Sequence, residues 1–257
     1  MFVHIKYPLA LLVTLTSVFS IQRAIAGEDL ITTAHYQSGE VIPYILNFTN
    51  LSPRYVVILF PGGSGSVDPH MANGKLVYKF KNNFLLRTRG LMVDEEFATV
   101  TTNSSQSSER IQAILDDLKQ RFPTAQLYLM STSNGTFDSL KLANYLSDKI
   151  AGEIHTSSLD IVRTFDAHKY KNRQLLVHHA HDACSATPFG SAEIAHEQYG
   201  TQLLVMDGGV SEGDPCKPFA HHGYNGIEHE TIAAIKKWIK QVPAGNRASS
   251  ARLAPHS

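Results

Sequence analysis

The chain has 257 residues, with 23 Lys and Arg against 23 Asp and Glu, 43% hydrophobic residues and two cysteines. That length is enough to bury a sizeable core in one large domain. The charge balance gives no footprint of nucleic acid or of an acidic partner.

At the N-terminus, Lys6 precedes an apolar run over residues 8–19, and the small-residue ending Ala24-Ile25-Ala26 follows it. This reads as a secretory signal, residues 1–26, cleaved after Ala26. The run is short for a membrane span and no other segment reaches span length, although an uncleaved anchor is the alternative. The expected protein is therefore exported, periplasmic or secreted, with no stable membrane span after cleavage. One domain is expected over residues 27–242, and residues 243–257, rich in small and polar side chains, are expected to be a mobile tail. Two cysteines, Cys184 and Cys216, in an oxidising compartment make a disulfide the default reading.

Residues 31–36 and 41–48 alternate around Ser38-Gly39, as in an antiparallel hairpin at a sheet edge. The continuous apolar run 55–60 reads as a strand covered on both faces, as in a parallel sheet. Further strands are expected at 97–101, 126–130, 150–155, 174–178 and 201–206, and helices at 108–122, 134–147, 190–199 and 226–242. Strands alternating with helices imply an α/β fold with a mostly parallel central sheet and helices on both faces.

In such a sheet, chemistry collects at the carboxyl ends of the strands. The first strand end is Pro61-Gly62-Gly63-Ser64-Gly65, whose glycines let backbone N–H groups turn toward a developing oxyanion. The N–H of Gly63 and that of Asn134 would make a two-donor oxyanion hole. This turn lacks the lysine of a P-loop and the spacing of a dinucleotide fingerprint. The second is Ser131-Thr132-Ser133-Asn134-Gly135, where a strand passes at once into a helix pattern. A sharp turn of this kind projects a nucleophilic serine, Ser133, with small residues two positions to either side. Ser131 stands where the usual pattern has its first glycine, and the plain alternative for Ser133 is a helix cap. The third is His178-His179-Ala180-His181-Asp182, leading to Cys184, and the fourth is His221-His222-Gly223-Tyr224, just before the last helix.

These four motifs, in this order, resemble the α/β-hydrolase superfamily over nearly all of the region after the signal. The resemblance implies a Ser133, Asp182, His222 triad and acyl transfer at a carboxylic ester or a related acyl bond, with no cofactor. A Cys184 to Cys216 bridge would tie the turn of the acid to the loop of the base. Few residues lie between the strand near 150–155 and that at 174–178, so little or no cap domain is expected, and with it an open, shallow site. The expected partner is a small-molecule or polymer-borne ester or amide. If His222 is the base, activity is expected to rise with pH as the imidazole loses its proton, with a midpoint near about 6 to 7.

Two other readings stay open. One is a zinc-dependent hydrolase using the His178, His179, His181 and Asp182 cluster, although His178 and His179 would face opposite sides of a strand. The other is a non-catalytic binding protein on the same fold. His221 competes with His222 as the base, and Asp207 and Asp214 compete with Asp182, Asp207 reading best as a turn residue. The basic residues Lys75, Lys79, Lys81, Arg87 and Arg89 read as a solvated helix face, and Trp238 as core packing of the last helix. Asn47, Asn50 and Asn103 begin glycosylation-acceptor triplets that would matter only in a eukaryotic secretory pathway.

Overall fold

Six consecutive apolar residues form β3 (Tyr55–Phe60), and all six are buried. A strand is apolar on both faces only when helices cover both, and they do here. The computed structural model describes Gly27 and residues 29–241. The expected signal, the expected tail and residue 242 lie outside the described residues.

The chain enters through β1 (Asp29–His35) and β2 (Val41–Asn47). After β3 come the short strands β4 (His70–Ala72) and β5 (Lys75–Val77), then α1 (Phe84–Met92), β6 (Phe97–Thr101) and α2 (Ser108–Arg121). The second half runs through β7 (Gln126–Ser133), α3 (Asn134–Leu146), β8 (Gly152–Ser158), β9 (Arg173–His179), α4 (Phe189–Tyr199), β10 (Gln202–Met206) and α5 (Glu228–Lys240).

Eight strands form one sheet in the order β1-β2-β6-β3-β7-β8-β9-β10, and β4 pairs only with β5. β1 and β2 are antiparallel, as are β2 and β6, while every pairing from β6 to β10 is parallel. The chain leaves β3 for β6 on one side, then crosses to β7 on the other. Such a reversal opens a crevice at the carboxyl ends of the strands that flank it. The turn after β3 and the turn after β7 therefore face a common space.

Alternate residues of β3 feed two cores. Tyr55, Val57 and Leu59 pack with Leu85 and Leu86 of α1 and Ile235 and Trp238 of α5. Val56, Ile58 and Phe60 pack with Ile111, Ile114, Leu115 and Leu118 of α2 and Leu142 and Leu146 of α3. The spacing in α2 is that of an amphipathic helix, and Ser107 caps it by accepting a bond from the Arg110 N–H. Trp238 belongs to the core as expected; its indole N–H donates to Gln202 and the Arg173 guanidinium lies 3.9 Å from its ring centre.

The basic stretch departs from expectation, because it does not form one solvated helix face. Lys75 lies in β5, and Lys79 pairs with Asp68 at 2.5 Å. Arg87 and Arg89 are on α1 but turn inward, Arg89 to Asp29, and Arg87 to Glu228 at 2.8 Å and to the Gly223 carbonyl at 2.6 Å. Arg87 thus joins α1 to α5 and to the loop carrying His222. The side chains of Asn47 and Asn103 are used inside the fold, Asn47 on Asp29 and Asn103 on the Val67 and Asp68 amides. No helix among the described residues is long and apolar enough to cross a membrane.

Candidate active site

β7 ends at Ser133, and α3 begins at the next residue. To make that turn without a linker, Ser133 takes φ 51° and ψ −127°. A residue with a Cβ is held in such a region at a cost of order 1–3 kcal/mol. The neighbours explain why the turn is possible. A Cβ at Gly135 would stand 2.5 Å from the Phe60 carbonyl oxygen, and one at Gly62 would stand 2.8 Å from Ser133 Cβ. Only glycine lets α3 and the turn after β3 approach Ser133 this closely.

Ser131 departs from the usual glycine without disturbing the turn, because its hydroxyl has partners. Its Oγ lies 2.8 Å from Ser139 Oγ and 3.3 Å from His155 Nδ1, and all three side chains are buried. His155 Nε2 donates to Gln174 at 3.0 Å, and Gln174 in turn donates to Glu153 at 3.1 Å. Burial pushes His155 down to about 4 and Glu153 up to about 7, so both favour their neutral forms. The polar chain therefore runs behind the turn without a net charge at neutral pH on His155.

Gly63 adopts φ 67°, and its carbonyl accepts a bond from Asn134 Nδ2 at 3.0 Å. That bond ties the turn after β3 to the start of α3. Among the described residues, neither the Gly63 N–H nor the Asn134 N–H is used in a turn or cap hydrogen bond. Two backbone donors are thereby left at the turn beside Ser133.

Asp182 and His222 meet at 3.0 Å, Oδ2 to Nδ1, and both are buried. The Cys184 N–H donates to Asp182 Oδ1 at 2.9 Å. Thr187, buried and not foreseen from the sequence, places its Oγ1 3.0 Å from Asp182 Oδ2 and 3.0 Å from His222 Nδ1. With two oxygen atoms on its Nδ1 side, the imidazole carries its proton there and leaves Nε2 as the nitrogen free to accept one. The only sequence sign of Thr187 was its place before Pro188, at the end of the acid turn.

The loop of His222 is fixed from beneath. A Cβ at Gly223 would fall 2.0 Å from the Pro218 carbonyl oxygen, so that loop closes only on glycine. Tyr224, fully buried at φ 57°, donates to the Val177 carbonyl at 2.8 Å and accepts from the Ser157 N–H at 3.0 Å. The Ser157 hydroxyl donates to the His222 carbonyl at 2.7 Å. Cys184 and Cys216 form a disulfide, joining the acid turn to the segment before His222.

Ser133 and His222 border the same half-open cavity of about 560 Å³, together with Gly63, Phe80, Phe84 and Lys217. No hydrogen bond links Ser133 Oγ to His222 Nε2 in this structure; contacts of this kind commonly tighten only with substrate bound. The segment between β8 and β9 holds two short 3-10 helices, Asp160–Thr164 and Ala167–Lys169, and contributes no cavity wall. The cavity's lining includes residues 80–84 and 216–218.

The other acidic and histidine candidates lie elsewhere. His221 stacks on His179 with ring centres 4.3 Å apart, and His181 faces Asp207 at 3.3 Å. Asp207 is exposed and accepts the Gly208 N–H, as a turn residue does, and Asp214 accepts the Cys216 N–H. His178 lies on the opposite side of β9 from His179, with Nε2 3.6 Å from Asp182 Oδ2 and neither ring nitrogen hydrogen-bonded. The four residues of the zinc reading are thus divided between two places, and among the described residues no group of three or more His, Cys, Asp or Glu is arranged to hold a metal ion.

No family model and no curated protein matches the sequence. Solved structures match in fold. The chain is similar to an α/β serine hydrolase without lid from Xanthomonas campestris, at 13% identity and TM-score 0.58, over 84% of this chain and 97% of that one. It is similar to a cold-adapted esterase from an Arctic intertidal metagenomic library, at 13% identity and TM-score 0.57, over 85% and 95%. The esterase domain of a Rhodothermus marinus protein matches at 10% identity and TM-score 0.52, over 82% and 97%. At these identities the likeness is one of fold.

Proposed function

We propose that this chain, which has the α/β-hydrolase fold, is an exported serine hydrolase that cleaves carboxylic esters through Ser133, His222 and Asp182. The strained backbone of Ser133, at a turn with no linker between β7 and α3, carries the reading. A fold holds such a conformation against its cost where the position of one side chain matters.

In this scheme His222 Nε2 takes the Ser133 proton as Oγ attacks the ester carbonyl. The Gly63 and Asn134 N–H groups receive the negative charge that forms on the carbonyl oxygen, each donor of this type being worth roughly 10²–10³ in rate. His222 then gives the proton to the departing alcohol, and an acyl-Ser133 remains. Water, deprotonated by the same imidazole, releases the acid and restores the serine. Asp182 and Thr187 keep the imidazole oriented and stabilise its protonated form. The segment between β8 and β9 adds no wall to the cavity of Ser133 and His222, and only Leu159 to the cleft beside Asn134, which supports substrates that are small or attached to a larger polymer. Export is supported by the apolar segment over residues 8–19 and by the disulfide, which persists in oxidising compartments.

A fluorophosphonate tests the nucleophile whatever the natural substrate is. One adduct by intact mass on the native protein and none on Ser133→Ala is expected. No adduct on folded, disulfide-bonded protein would leave a binding protein on the same fold as the better account.

A further inference from the structure

Two clefts meet at Gly63, and their chemistry differs. The larger contains Ser133 and His222, with Phe80 and Phe84 as apolar walls, and its charged lining residues other than His222 are Lys81 and Lys217. Among the described residues, no carboxylate lines it. Neither lysine has a carboxylate partner among the described residues; Lys81 Nζ instead lies 5.3 Å from the Tyr78 ring centre. The smaller cleft, about 250 Å³, contains Gly63 and Asn134 but not His222, and its one charged residue is Asp138.

Phe80 is unusual in two respects at once. It is 43% exposed, and it sits at φ 55°, a conformation a bulky aromatic residue rarely adopts. Its ring edge would touch a Cβ placed on Gly63, at 3.4 Å, so the strain sets an exposed aromatic face beside the oxyanion turn. The Phe80 carbonyl accepts the Asn83 N–H at 2.8 Å in the turn that leads into α1, but that turn does not require an exposed aromatic ring; a platform for a ligand does.

The sides of the reaction can be assigned to the clefts. The base that protonates a leaving group must stand beside it, so the leaving group belongs in the cleft that His222 lines. The acyl portion then lies toward Gly63, Asn134 and the smaller cleft. Resting on the hydrolase reading, we infer that the substrate is an ester whose leaving alcohol has an apolar or aromatic body ending in an anion, with Phe80 and Phe84 against the body and Lys81 and Lys217 facing the charge. Ammonium groups without a carboxylate partner, on residues that line an apolar cavity, attract such a ligand through a medium less polar than water.

The test compares 4-acetoxybenzoate with its neutral methyl ester on the full disulfide-bonded chain, each kcat/KM divided by the rate of the same ester in alkaline water. At least a tenfold preference for the anion is expected, falling as NaCl is raised. In Lys81→Gln/Lys217→Gln the ratio should drop to about one, and in Lys81→Glu/Lys217→Glu it should invert. Cleavage of both esters with a ratio of one or less in the native enzyme, or a ratio that the lysine variants do not move, would overturn the inference while leaving the hydrolase intact. Calorimetry with 4-hydroxybenzoate separates the opposite case. Lysine-dependent binding in a protein that cleaves neither ester would uphold the anion site and remove the hydrolase reading; no binding and no cleavage would remove both.

Discussion

Thr187 stands against His222, with its Oγ1 3.0 Å from the imidazole Nδ1, while the same oxygen is 3.0 Å from Asp182 Oδ2. One hydroxyl has one proton and two lone pairs, so Thr187 donates to the carboxylate and accepts from the imidazole. It therefore closes a triangle in which each group restrains the other two. Without it, Asp182 Oδ2 would have the His222 Nδ1–H alone at hydrogen-bond distance, since His178 Nε2 is 3.6 Å away.

Thr187→Val, which keeps the shape and removes the hydroxyl, should reduce kcat/KM by about 10- to 100-fold, the range for loss of a hydrogen bond to a charged group. Thr187→Ser should recover most of the activity. The loss should fall on kcat, with KM little changed, because Thr187 does not line the cavity. A Val variant as active as the native protein, with the loss confined to the Ser variant, would show that the methyl group, not the hydroxyl, is what matters.

The disulfide spans 32 residues of sequence and joins the turn after Asp182 to the loop before His222. By the loop-entropy argument, Cys184→Ser/Cys216→Ser should lower stability by roughly 3 to 4 kcal/mol. Because Cys216 also borders the cavity, activity should fall even at temperatures where the variant remains folded. Urea unfolding with parallel rate measurements at a low temperature separates the two effects. A variant that is less stable but fully active would limit the bridge to stabilising the fold.

Stability should change with pH through three buried groups. Burial pushes His155 and His178 down to about 4. Below their ordinary value near 6.5 the unfolded chain binds protons that the folded chain refuses, so their contribution is complete above about 6.5 and is lost as pH falls through about 4. Burial raises Glu153 to about 7, its bonds from Gln174 and Asn172 opposing that shift in part. Its contribution is complete below the ordinary glutamate range and is lost as pH rises through about 7. Two groups favour higher pH and one favours lower, so unfolding free energy should rise from about pH 4.5 to about 6.5 and then level off, the last of the histidine gain offsetting the loss from Glu153. Urea midpoints at pH 4.5, 6.5 and 8 should show that rise and plateau. Glu153→Gln should steepen the rise.

Much of this architecture is legible in the sequence, and the parts that are not have a common cause. The run 55–60 and the alternating hairpin are local signals, and β3, β1 and β2 form as those signals require. The strand expected to end at Met130 runs to Ser133, because pairing with β8 continues through Thr132↔Thr156 and a register shift. β8 itself lies two residues later than expected at its start, since the Gly152 backbone fits against Arg173 where a Cβ would be 2.8 Å from a carbonyl oxygen. Asp182 and His222 stand out by order and by the residues beside them, whereas Thr187 and Arg87 act through contacts 35 and 136 residues away in sequence. Helix α1 was hidden among its charges, because the pairings that turn Arg87 and Arg89 inward come from Glu228 and Asp29. No local pattern announces such partners.

The turn at Ser133 should tolerate change at its two ends very differently. Restoring the usual pattern by Ser131→Gly removes a hydroxyl that sits 2.8 Å from Ser139 Oγ in a fully buried site. It also adds glycine's backbone freedom within a strand. The variant should be less stable by about 1 to 2 kcal/mol and no more active, because Ser131 acts behind the turn and not at the cavity. Ser131→Ala loses the hydroxyl alone and should fall between the two. At the other end, Gly135→Ala puts a Cβ 2.5 Å from the Phe60 oxygen and 2.6 Å from the Pro61 oxygen, and these atoms lead directly into the turn that holds Gly63. Relief of that overlap should move the Gly63 and Asn134 N–H groups away from Ser133, and if these are the proposed oxyanion donors, activity should fall at least 100-fold, as for loss of one such donor. Fluorophosphonate labelling rates and thermal melts on the three variants decide the matter. A Gly135→Ala protein that labels as fast as the native one would mean that the close approach of α3 to β3 does not set the geometry of the site.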